Sequence, residues 1–149
     1  MEIKRKLYQA CQAYIDLRIA TIDKAIVAAR DASTDDTKSS AGDKYETTRE
    51  MMQQEIDRNT VQLNEALKLK QALALIKPDT LSEIVQPGSL VITNNGSFYL
   101  SISAGSLNIE GVSYFAVSQA SPIGSKLMRL KKGASFQFND KNYLINEVY

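Results

Sequence analysis

Apolar residues recur at Ile15, Ile19, Ile22, Ile26 and Ala29, in alternating steps of four and three. That period is a coiled-coil seam. Leu7 and Cys11 carry the stripe toward the N-terminus with one slip of register, which predicts a first helix from about Glu2 to about Arg30. The alternation returns at Met52, Ile56, Asn59, Leu63, Ala66, Lys70 and Leu73, where Asn59 and Lys70 are polar interruptions of the kind that set register. Leu67, Leu69 and Ile76 widen this second stripe. It stops before Lys77-Pro78, because the residue ahead of a proline is held out of helical geometry. The two segments predict an antiparallel hairpin spanning 1–77, with arms of roughly 30 residues and about 45 Å at about 1.5 Å per residue. On periodicity alone, a hairpin that simply dimerises or braces a neighbour is the favoured reading.

After a linker at 78–87 the period changes. Ser89 to Thr93 and Ser97 to Ser103 flank Asn94-Asn95-Gly96, a turn sequence that predicts a β-hairpin. Leu107 to Ile109 and Ser113 to Val117 are separated by Glu110-Gly111. A short segment with one apolar face follows at Ser125 to Leu130. Ala134 to Phe138 and Asn142 to Val148 form a last hairpin around Asn139-Asp140-Lys141. The expectation for 88–149 is a small antiparallel sheet of five or six strands with one short helix, making the chain α+β. Alternation along the strands assigns Tyr99, Tyr114, Phe115, Phe136 and Phe138 to core packing.

Composition narrows the chemistry. Eighteen Lys and Arg nearly cancel seventeen Asp and Glu, so bulk charge gives no reason for nonspecific nucleic-acid binding. The absence of histidine removes Ser-His and Cys-His nucleophile pairs and the usual ligands of zinc hydrolases. The single cysteine, Cys11, excludes an internal disulfide framework and reads as a small seam residue rather than a reactive thiol. Neither a signal peptide nor a membrane span is visible, and the expected compartment is the cytoplasm. The chain is expected not to be an enzyme in its own right but to act with a partner protein.

Charge is concentrated at the turn between the helices. Asp31, Asp35, Asp36, Asp43 and Glu46 stand against Lys38 and Lys44, a net charge of −3 over sixteen residues. Asp43 and Glu46 are three apart at the start of the second helix, which places both carboxylates on one face. Such a pair suits a hard divalent ion that keeps its remaining ligands as water or phosphate oxygen. The same Asp-x-x-Glu spacing is a capping box, with Asp43 as N-cap, and the two roles are compatible. Asp35 and Asp36 read as a solvated approach to the turn. Lys126, Arg129, Lys131 and Lys132 form a basic run that fits a solvated face or an acidic partner.

Three stretches resemble the bacterial Gre transcript-cleavage factors. Ser121-Pro122-Ile123-Gly124-Ser125-Lys126-Leu127, with Lys131-Lys132-Gly133 after it, is similar to the Ser-Pro-Leu-Gly-x-x-Leu and Gly-Lys-Lys-x-Gly-Asp signature of their C-terminal domain. Pro87-Gly88-Ser89-Leu90-Val91 is similar to that domain's opening strand, and Gly42-Asp43-Lys44-Tyr45-Glu46 to the Gly-Asp-x-x-Glu of the tip. The chain departs from the family at Thr47-Thr48-Arg49, where Asn-Ala-Glu is usual. It departs again at Arg129-Leu130, where Gly-Lys is expected, and at Ala134 in place of the closing Asp.

The resemblance implies an FKBP-like fold for 88–149. It also implies a transcription elongation factor that binds RNA polymerase, inserts its coiled-coil tip into the secondary channel and stimulates cleavage of backtracked RNA. In that reading Asp43 and Glu46 are the catalytic and metal-binding pair. They help hold a magnesium ion (Mg2+) shared with the polymerase and meet the RNA 3′ end only within the complex. The departures after Glu46 keep open a regulator that occupies the channel without promoting cleavage. A peptidyl-prolyl isomerase is suggested only by the implied FKBP-like fold, and the chain lacks the Trp that usually floors such a pocket.

Overall fold

Two long helices precede a six-stranded sheet, the α+β order that the patterns predict. The computed structural model describes the backbone of 1–36 and 43–149 and the side chains of 1–32 and 46–149. Helix α1 spans Glu2–Asp36 and α2 spans Asp43–Ala74. The chain divides into two compact units, a helical one of 15–70 and a sheet unit that joins 1–14 to 71–149.

In the helical unit Ile22, Ile26 and Ala66 are buried, with Ile19, Ile56 and Leu63 packed against them. These are seam positions of both stripes. The polar interruptions resolve differently from each other. Asn59 is buried, and its amide nitrogen donates to the Glu55 carbonyl at 3.0 Å and to Glu55 Oε1 at 3.3 Å, so its own helix satisfies it. Lys70 is exposed while Leu69 is half-buried, so the stripe steps from Ala66 to Leu69 to Leu73 rather than through Lys70. Stepping by three first and four second turns a charge to water and an apolar side chain inward, at no cost in periodicity. Leu67, read as part of the widened stripe, is 40% exposed.

The sheet unit carries β1 (Leu90–Thr93), β2 (Gly96–Leu100), β3 (Gly105–Ile109), β4 (Val112–Val117), α3 (Pro122–Leu127), β5 (Ser135–Phe138) and β6 (Lys141–Val148), in the spatial order β3-β4-β2-β1-β6-β5. Neighbours are antiparallel except β2 with β4, which run parallel with Phe98 opposite Phe115. The parallel pair arises because β3 lies outside β4, so that β4 returns inward beside β2. Turn chemistry closes the outer hairpins. Glu110-Gly111 and Asn139-Asp140 all have positive φ, as a two-residue turn matched to strand twist requires. Asn94 and Asn95 instead stitch their turn to β6: both side chains donate to the Asn142 carbonyl, and Leu144 N–H donates to Asn94 Oδ1 at 2.8 Å.

Both sheet faces are covered. Phe98 and Leu100 look to one side and join Val85, Val91, Leu127, Tyr143 and Ile145 in a buried cluster. Phe136 stacks on Tyr143 with ring centroids 5.0 Å apart. Tyr99 looks to the other side, toward Tyr8 and Cys11 of α1. Val85, within the stretch read as linker, is 1% exposed and exchanges backbone hydrogen bonds with Arg129 and Leu130. Phe115 is 42% exposed, unlike the other aromatics assigned to the core.

Candidate functional site

Helix α2 begins at Asp43, which puts the predicted acidic pair in its first turn. Carboxylates there meet the positive end of the helix dipole. Glu46 is exposed, and so is Arg49. The side chain of Asp43, like those of Asp35, Asp36 and Lys44, lies outside the described residues, as do Lys38 and Gly42 altogether. Asp31 is exposed near the end of α1. Among the described residues no three His, Cys, Asp or Glu side chains converge as a metal site.

The Ser121–Leu127 segment has a definite construction. Ser121 is the N-cap of α3: its Oγ accepts the Gly124 N–H at 3.0 Å and donates to the Ser118 carbonyl at 2.7 Å. Pro122 fills the first helical position, where its missing N–H and preset φ cost nothing. Gly124 has no room for a side chain, since a Cβ would lie 1.9 Å from the Ser118 carbonyl oxygen. Ile123 packs against the buried cluster that includes Leu127, which is fully buried. The helix therefore starts at Pro122, earlier than the apolar stripe from Ser125 indicated. After it, Arg129 holds φ at 69°, the left-handed region that favours glycine. This is the position where the signature calls for Gly.

The basic run is exposed throughout. Lys132 pairs with Glu147 at 2.8 Å, and that hydrogen bond raises its pKa. Sequence patterning did not bring together a second group of residues inside the sheet unit, Lys4, Cys11 and Tyr99. Lys4 is 1% exposed and donates to the Thr80 carbonyl; burial lowers its pKa, partly offset by the Asp79 charge. Cys11 is fully buried with its Sγ 3.5 Å from Ser101 Oγ, and burial pushes its thiol pKa up. Tyr99 is fully buried too, its hydroxyl without a hydrogen-bond partner among the described residues and its pKa raised by burial. The place of Cys11 in the stripe and the alternation around Tyr99 marked those two for burial, whereas nothing in the pattern marked Lys4.

No family model matches the chain, and no curated protein matches it. Among solved structures it is similar to one described as the structure of the transcription factor Gfh1, at 16% identity over 94% of each chain with a TM-score of 0.37. A superposition that loose bears on neither fold nor function. No described helix is long and apolar enough to cross a membrane.

Proposed function

We propose that the chain is a Gre-like elongation factor: it binds RNA polymerase, presents the turn between α1 and α2 to the secondary channel, and stimulates cleavage of backtracked RNA. The observation that carries this reading is the agreement between the Ser121–Leu127 signature and its construction. Ser121 caps, Pro122 opens the helix, Gly124 admits no Cβ and Leu127 is buried. Arg129 holds a left-handed backbone, which suits the glycine that the signature calls for there. A backbone that suits the expected residue even where the sequence departs supports descent from the pattern rather than chance likeness. At the other end, Glu46 offers an exposed carboxylate in the first turn of α2.

Asp43 and Glu46 would supply oxygen donors to a magnesium ion completed by polymerase and RNA, and the ion's contribution when bound is to activate water and stabilise the leaving oxygen. The remaining task of this chain is to position and charge the turn. Thr47-Thr48-Arg49 favours a second reading, a regulator that binds the channel without promoting cleavage.

Purified stalled elongation complexes separate the two. Wild-type chain should shorten RNA from the 3′ end, and Asp43→Ala or Glu46→Ala should reduce that rate at least about 100-fold while polymerase affinity changes less than about threefold. Binding with intact transcripts would leave the second reading. A parallel loss of binding and of helix stability in both variants would assign the pair to capping alone.

A further inference from the structure

The outer strand β3 ends the sheet with its sequence Gly-Ser-Leu-Asn-Ile, without charge, proline or bulge. Natural edge strands are ordinarily blunted by such devices, because an open row of N–H and C=O groups is a template for another strand. Ile109 and Val112 close the β3–β4 hairpin across a two-residue turn. Such a hairpin closes on a hydrogen-bonded pair, and alternation then assigns the β4 ladder to Gly105, Leu107 and Ile109. Ser106 and Asn108 consequently turn their backbone groups outward. Both residues are exposed, and neither has a backbone partner beyond the ladder among the described residues.

We propose that β3 pairs antiparallel with β3 of a second copy of this chain, about a two-fold axis at Leu107. In that register Ser106 of one copy faces Asn108 of the other, and Leu107 faces Leu107. Each Ser106–Asn108 pair exchanges two backbone hydrogen bonds, so all four outward N–H and C=O pairs are used. A one-residue slip would leave them mismatched.

The self-matching register and the lack of charge on the edge favour this occupant. The facing strands are neutral, and the nearest charge in sequence, Glu110, is held by Lys6 of its own copy. Two identical edges therefore meet without like-charge repulsion, which a charged edge would impose. An extended segment of another protein is the alternative occupant. Four strand hydrogen bonds and one leucine pair make a small interface, so association is expected on the order of 0.1 mM.

Sedimentation equilibrium of the full chain tests this. Wild type should shift from one-chain toward two-chain mass as concentration rises through that range. Ser106→Pro, which removes one outward donor at an edge position that tolerates proline, should weaken association at least about tenfold. Ser106→Lys, which keeps the backbone N–H and adds like charges near the axis, should do the same and regain association in high salt. Leu107→Cys should form a disulfide-linked dimer at least about ten times faster than Ser106→Cys, because directly opposed Cα atoms about 4.5 Å apart lie within disulfide reach. One-chain mass up to about 1 mM, or a Ser106→Lys variant that associates like wild type, would overturn the proposal. Equal cross-linking at both cysteines would overturn the two-fold at Leu107.

Discussion

The helical unit and the sheet unit bury their apolar residues by different rules. At 15–70 the buried residues follow a narrow line, Ile15, Ile22, Ile26 and Ala29 of α1 and Asn59 and Ala66 of α2, with Ile19, Ile56 and Leu63 half-buried beside it. Each contact follows from its neighbours three or four residues away, so the line tolerates a buried Asn59 that bonds back to its own helix. In the sheet unit residues remote in sequence converge, as when Val85, Val91, Leu127 and Tyr143 share one cluster. There a single atom has no freedom to move aside. The difference teaches that a seam spreads strain along its length, while a sheet capped by a short helix concentrates it.

The sharpest way to break that contrast is Gly124→Ala. The added Cβ would meet backbone at 1.9 Å, so α3 must lift from Ser118, and the sheet unit should lose roughly 3 kcal/mol or more. Six of the seven tyrosines lie in 1–14 and 71–149, so tyrosine fluorescence during urea unfolding reports this unit while helical ellipticity reports mainly α1 and α2. A matched pair of truncations comes next. Leu127→Ala, at a fully buried site, should cost about 3–4 kcal/mol, and Ile22→Ala, at the edge of a seam that can close up, about 2 kcal/mol. Equal losses would remove the distinction between line and cluster.

Alkaline pH should separate the units further. Burial raises the pKa of Cys11 and of Tyr99, so the folded chain keeps protons that the unfolded chain gives up above about pH 8.5 and about pH 10 respectively. With more protons on the folded state, stability falls as pH rises past those values. Lys4 works in the opposite sense. Its folded pKa is lowered, so its penalty shrinks as pH climbs from that value to the ordinary range near about 10.4. Cys11 and Tyr99 should therefore weaken the sheet unit above about pH 8.5 and about pH 10 in turn, against the gain from Lys4. Cys11→Ala should flatten the first part of the limb and Tyr99→Phe the second, as followed by urea midpoints at each pH. An unchanged limb in both variants would place the titrating groups elsewhere.

The smallest effects expected are stabilising. Arg129→Gly relieves a left-handed backbone and should add about 1 kcal/mol to the sheet unit. Asn59→Leu replaces a buried amide in the seam and should raise the helical signal's midpoint by up to about 1 kcal/mol. A loss at Asn59 would mean that its bond to Glu55 matters more to the seam than the apolar area gained.

Local chemistry determined much of this molecule without help. Steps of three and four drew both helices, turn residues drew the hairpins, strand-like runs drew five or six strands, and one apolar face drew the short helix. The Ser121–Leu127 segment was legible because a cap, a first-turn proline and a close-approach glycine each act within a few residues. The exposed Glu46 followed from its place on the helix, while Asp43 can be placed only by its backbone in the first turn.

Tertiary structure alone decided the rest. Whether Lys70 or Leu69 entered the seam depended on which side the facing helix occupied. That β4 runs parallel to β2, that Val85 joins the core and that Phe115 stays at the surface all depend on which strands become neighbours. So does the buried company of Lys4, Cys11 and Tyr99. These are contacts between residues far apart in the chain, and no periodicity along one segment carries information about what the opposite segment will bring against it.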